Sequence, residues 1–202
     1  MPLRFANCLG ENPFGSVVGC SVILFLVAFP IQSPAQIEKS AQRYKILGLL
    51  RWEDGKNHEL PQDFADMIGW SDLARQVDAA YGPLPDKMNT LVLCDNYGQA
   101  GAINYYSTYS DIHAVSWNAD YINWFPLDLE ILNVVLIQSA DDDDPGRELE
   151  KPWFDTIRLV GENVNPYSRE IGTKIYLLQG AKTDINAIVE EELRKRKNGT
   201  AD

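Results

Sequence analysis

Cysteine and histidine are scarce in this chain: its 202 residues hold three of the first and two of the second. Cys8, Cys20 and Cys94 lie far apart, and two of them precede the region that reads as folded. They supply neither a disulfide framework nor a paired CxxC zinc spacing. His58 and His113 are 55 positions apart with no HExxH pattern, so the three or four ligands of a dedicated metal site have no local support. Positive charge is short as well. Eighteen basic residues against 29 acidic ones leave a net charge of −11, which opposes broad attraction to nucleic-acid phosphates and excludes nucleic acid as the expected partner.

Several motifs are missing too. GxGxxG does not occur and no GKS or GKT follows a glycine loop, so no phosphate cradle or cofactor is expected. Asp141 to Asp144, ahead of Pro145 and Gly146, lacks the alternating ligands, central glycine and final glutamate of a calcium loop and reads as a solvated loop. No Ser/His/Asp set, nucleophile elbow or cysteine with a nearby base can be assembled. Asp63 and Asp66 would share a helical face, but an i, i+3 acidic pair is commonplace, and no catalytic residue is assigned.

What remains is the composition of a packed protein, 45% hydrophobic and 23% charged, with room for one ordinary domain. Charge is absent between Glu11 and Glu38, and Val17 to Ile31 is almost wholly apolar. Its 15 residues would rise about 22 Å as a helix, short of the roughly 30 Å hydrocarbon core. Three readings stay open: a signal peptide cleaved near Gln36, an uncleaved anchor or remnant of a last membrane span, and a buried core helix. The expected divisions are 1–36 as hydrophobic segment, 37–197 as folded domain and 198–202 as tail.

After a polar helix-like stretch, Ile37 to Leu47, strand and helix patterns alternate. A helix opens at the N-cap Ser71, carries Leu73, Ala74, Val77, Ala80 and Tyr81 at helical spacing, and stops at Gly82 and Pro83. Strand candidates are Thr90 to Asn96, Ala114 to Trp117, Asn133 to Ile137, Thr156 to Val160 and Lys174 to Leu178. A final helix opens at Thr183 or Asp184 and ends in Arg194, Lys195, Arg196 and Lys197, read as a solvated, dipole-complementing end. The expected fold is α/β: a layered α/β/α domain with a mixed, largely parallel sheet of about four to six strands, preceded by a hydrophobic N-terminal helix.

Polar and aromatic residues converge in two loops that follow strands. Asn96, Tyr97 and Gln99 lie in the first, and Asn118, Asp120, Tyr121 and Trp124 in the second. If the two strands are parallel neighbours, both loops share one sheet edge. Amides and a carboxylate for hydroxyls, with aromatic faces for the apolar side of a ring, suit a carbohydrate. Turn-forming amides and core aromatics are the alternative.

At these residues a resemblance enters. QDFADMIGW with its helix, LPDK, LVLCDNYGQAGAINYYS, SWNADYINW and GTKIYLLQGAK, in this order, resemble the soluble C-terminal domain of bacterial glycosyltransferase family 39-like membrane proteins. These include protein mannosyltransferases and aminoarabinose transferases that use polyprenyl-phosphate-linked sugars. The resemblance spans roughly Pro30 to Leu193. It implies a domain on the outer, extracytoplasmic face of the cytoplasmic membrane, with Val17 to Ile31 as remnant of the last span. The implied partners are a membrane catalytic domain and a glycan or lipid-linked sugar. The family's catalytic acidic residues belong to a multi-span membrane domain that these residues do not include, so the chain reads as a fragment, a truncated frame or one half of a split protein, inactive alone. An independent exported α/β module binding a glycan or small polar ligand is the competing expectation.

Overall fold

A computed structural model describes residues 17–22, 25 and 31–199. Of the apolar run, residues 17–22 and 25 are helical, and 23, 24 and 26–30 lie outside the described residues, as do 1–16 and 200–202. Among the described residues no helix is long and apolar enough to cross a membrane.

The chain forms two compact units, Met1–Phe64 and Ala65–Asp202. In the first, the stretch expected as one polar helix is two short ones, Pro34–Lys39 and Ala41–Ile46, broken at Ser40 where φ is −101° and ψ 10°. Pro34 sits at the first helical turn, where its missing N–H costs nothing. Farther on, Trp52 Nε1 donates to the Leu60 carbonyl at 2.8 Å and its indole stacks on His58 at 3.7 Å. The partners are local, which is why this stretch closes on itself. The whole five-stranded sheet lies after Ala65.

The second unit is a layered α/β/α fold. Its helices are α1 (Trp70–Tyr81), α2 (Tyr97–Tyr106) and α3 (Ile185–Lys197). Its strands are β1 (Thr90–Cys94), β2 (Ala114–Ser116), β3 (Asn133–Gln138), β4 (Phe154–Glu162) and β5 (Lys174–Ala181). The sheet order is β2-β1-β3-β5-β4. β1 is parallel to both neighbours, with Val92 opposite Ala114 and Val135, while β5 runs antiparallel to β3 and β4.

Period-two alternation divides the strand side chains between two cores. Val92, Cys94, Val135, Ile137, Ile175 and Leu177 face one way and meet Leu73, Val77 and Tyr81 of α1 with Ala100 and Ile103 of α2. Leu91, Leu93, Val134, Leu136, Tyr176 and Leu178 face the other and meet Ile185, Val189 and Leu193 of α3. The central strands are buried on both faces, so they read as unbroken apolar runs. β4 is an edge strand and largely exposed.

The start of α1 differs from expectation. Its N-cap is Gly69, with φ 97°, and not Ser71. The Gly69 carbonyl accepts from Leu73 N–H at 2.9 Å. A Cβ at Gly69 would stand 2.7 Å from Ser168 Oγ, whose hydroxyl donates to the Ile68 carbonyl at 2.8 Å. The close passage of residue 168 and the left-handed backbone both require glycine there, and this tertiary contact sets the helix start two positions ahead of the local Ser71 signal.

Candidate functional site

In open α/β sheets, loops at the carboxyl ends of parallel strands make ligand sites, above all where successive connections leave a strand in opposite directions. β1 is such a strand. Its connection to β2 contributes Ala100 and Ile103 of α2 to one core, and the connection from β2 back to β3 contributes Trp117, Ile122, Phe125 and Leu127 to the other.

The crevice between the ends of β1 and β3 is bridged by side chains. Asp95 N–H donates to the Ile137 carbonyl at 2.9 Å and to Gln99 Oε1 at 3.2 Å. Gln99 is fully buried, and its Nε2 donates to Glu170 Oε2 at 2.7 Å and to Ser139 Oγ at 3.2 Å. Thr173 Oγ1 donates to the same Glu170 oxygen at 3.1 Å. A buried amide so engaged ties α2, the end of β3 and the start of β5 together.

The two loops expected to share an edge do so. β1 and β2 are parallel neighbours, and Asn118 Nδ2 in the second loop donates to the Asp95 carbonyl in the first at 3.3 Å. Asn118 Oδ1 accepts from Ser116 Oγ at 3.0 Å. Asn96 is the N-cap of α2, its Oδ1 accepting from Gln99 N–H at 2.9 Å. Three of the seven residues proposed as ligand-binding, Asn96, Gln99 and Asn118, therefore hold the loops themselves together.

The other four belong to the same two segments. Tyr97, at the first position of α2, is 60% exposed, and Asp120 is exposed. Tyr121 is half-buried and meets Trp124 edge-on, ring centroids 4.7 Å apart at 63°. Trp124 is 58% exposed. The Tyr121 hydroxyl would be 3.3 Å from a Cβ at Gly101, so the absence of a side chain there lets the second loop lie close to α2. Ala119 opens this loop at φ 54°, a conformation that non-glycine residues seldom adopt. Tyr121 and Trp124 thus present adjoining rings, an aromatic shelf of the kind that covers one face of a sugar ring.

Other sequence candidates have different positions. Asp66 lies beyond the short helix Gln62–Ala65 and faces Arg169 at 3.3 Å, an ion pair on the surface. Asp141 and Asp143 are exposed as expected of a solvated loop, but Asp142 and Asp144 turn inward around Arg147, which is 2% exposed. The Arg147 guanidinium pairs with Asp142 and donates from Nε to the Asp144 carbonyl at 2.6 Å. It also stands 5.2 Å from the Tyr176 ring. The Asp144 carboxylate accepts from the N–H groups of Leu149 and Glu148, each at 3.0 Å, and these bonds hold its pKa below the ordinary value. At the end of α3, Arg194 and Arg196 pair with Glu191 and Glu192, one turn back.

Sequence reasoning missed one feature altogether. A cleft of about 750 Å³ runs between the sheet and α3, with Leu93, Leu136, Trp117, Trp153, Ile188 and Glu150 among its walls. The apolar residues among them carry only the signal of core positions, and nothing in their spacing indicates that two layers leave a gap. Among the described residues no group of three or more His, Cys, Asp or Glu side chains could hold a metal ion.

Compared with protein families, curated proteins and solved structures, the chain matches none of them.

Proposed function

We propose that the second unit binds a glycan on the Tyr97, Asp120, Tyr121 and Trp124 shelf, and that the chain serves as the extracytoplasmic accessory domain of a membrane transferase that uses polyprenyl-phosphate-linked sugar. The observation that carries the binding half is the Tyr121–Trp124 ring pair, with Trp124 58% exposed, at the carboxyl edge of β1 and β2, where the Asn118–Asp95 hydrogen bond holds the two loops side by side. Exposed aromatics at such an edge suit the apolar face of a pyranose. The accessory half rests on the ordered resemblance from QDFADMIGW to GTKIYLLQGAK. No residue is given a catalytic role in this reading, because the chemistry belongs to the membrane domain.

Titration of the full chain with mannose oligosaccharides, followed by tryptophan fluorescence, tests the shelf. Trp124→Ala should weaken binding at least fivefold, while Asn96→Ala should lower stability by about 1 kcal/mol through the lost helix cap and leave affinity nearly unchanged. Equal titration curves for wild type and Trp124→Ala would sink the shelf as a site.

A further inference from the structure

The cleft beneath α3 has the size and lining of a small-molecule site. Its volume of about 750 Å³ lies within the range of roughly 300 to 1,000 Å³ usual for ligand pockets. Leu91, Leu93, Val134 and Leu136 form an apolar floor, and Ile188 of α3 stands over it. Leu149, also in the lining, is 68% exposed, so apolar surface continues outward from the cleft.

Its charged lining is unbalanced. The lining holds the acids Glu150, Asp184, Glu191 and Glu192 and the bases Lys195 and Arg196. Three of these acids already have partners: Asp184 caps α3 at Ala187 N–H, Glu191 pairs with Arg194, and Glu192 pairs with Arg196. Glu150 is different. Its Oε2 is buried and accepts no hydrogen bond, and its Oε1 lies 3.6 Å from Arg147. That one guanidinium also faces Asp142, so a single cation stands against two carboxylates. A half-compensated carboxylate with an orphan oxygen is costly to bury. Burial accordingly pushes the Glu150 carboxyl above its ordinary pKa.

We propose that this cleft binds a lipophilic primary ammonium, with its hydrocarbon chain along the Leu91–Leu136 floor and its nitrogen meeting the Glu150 carboxylate, whose side chain turns on binding so that the shielded Oε2 accepts from it. An ammonium there supplies the missing hydrogen bond and the missing positive charge together, which an alcohol or a fatty acid cannot do. The site is separate from the aromatic shelf, and its occupation needs no glycan.

n-Octylammonium, n-octanol and n-octanoate are the probes, titrated calorimetrically into the full-length chain at pH 7. Octylammonium should bind at least tenfold more tightly than octanol, and octanoate should not bind measurably. Glu150→Gln keeps the shape and removes the charge; it should reduce octylammonium to the octanol level and leave octanol unchanged. Ile188→Trp should fill the cleft and abolish both, and Trp124→Ala should alter neither, which separates this site from the shelf. Should Ile188→Trp fail to fold by circular dichroism, the octylammonium-to-octanol ratio of Glu150→Gln decides alone. Absence of saturable octylammonium binding, equal affinity for all three probes, or a ratio that survives Glu150→Gln would overturn the proposal.

Discussion

Asp144 and Glu150 sit six positions apart on one loop, yet their environments move them in opposite directions. Backbone donors from Leu149 and Glu148 favour the charged Asp144, whereas burial disfavours the charged Glu150. The consequences for stability are opposite in sign. Asp144, with its folded pKa depressed, adds stability above its unfolded pKa and loses it as pH falls through the folded value. Glu150, with its folded pKa raised, imposes a penalty that is full above the folded value and absent below the unfolded one. Thermal melts should therefore show Glu150→Gln more stable than wild type at pH 7, with the gain fading toward about pH 4, near the unfolded glutamate pKa. Asp144→Asn should be less stable at pH 7 and converge on wild type in acid. A Glu150→Gln melting point that is lower at pH 7 than wild type would contradict the assigned burial penalty. Amides at this scale were the hardest residues to read. Asn96 and Asn118 lie in loops whichever role they have, and only the folded structure shows their oxygens taken up by Gln99 N–H and Ser116 Oγ.

Elements were legible where local chemistry acts alone. The apolar stripe of α3 predicts a start at Thr183 or Asp184, and of the two it is the Asp184 carboxylate that accepts from Ala187 N–H, at 3.0 Å, as a cap should. The start of α1 was set by contact with a residue about a hundred positions away. Gly69→Ala would put a methyl group 2.7 Å from Ser168 Oγ on a backbone with φ 97°. Strain and overlap together predict a loss of roughly 2 kcal/mol or more in urea unfolding, with little change in the slope. An alanine variant within 0.5 kcal/mol of wild type, or about that, would show that the Ser168 passage yields freely and that Ser71 could serve as cap after all. β4 illustrates the reverse difficulty. It runs from Phe154 to Glu162, four residues longer than its apolar signal from Thr156 to Val160, because pairing with β5 extends it past a register shift between Leu159 and Gly161.

At the scale of the whole molecule, both buried cores begin no earlier than Leu73 and end at Leu193. All five strands lie in the unit that starts at Ala65. A chain beginning at Ala65 should consequently retain its circular dichroism and melt in one cooperative transition, as single domains of this size usually do. A broad, non-cooperative melt would mean that residues before Ala65 complete the core.

The α/β class followed from the sequence because strand and helix periods are local properties: apolar runs such as TLVLC and NVVLI, and the stripe Leu73, Val77, Ala80, can be read without knowing their neighbours. The adjacency of the two polar loops followed as well, once two strands joined by a helix were taken as parallel neighbours. Tertiary structure decided the rest. The antiparallel return of β5 between β3 and β4, the Gln99–Glu170 bond over 71 positions, and the cleft left under α3 with Glu150 in its wall all depend on how layers meet. Packing distances between layers are set by every side chain on both faces at once, and no window of sequence contains them.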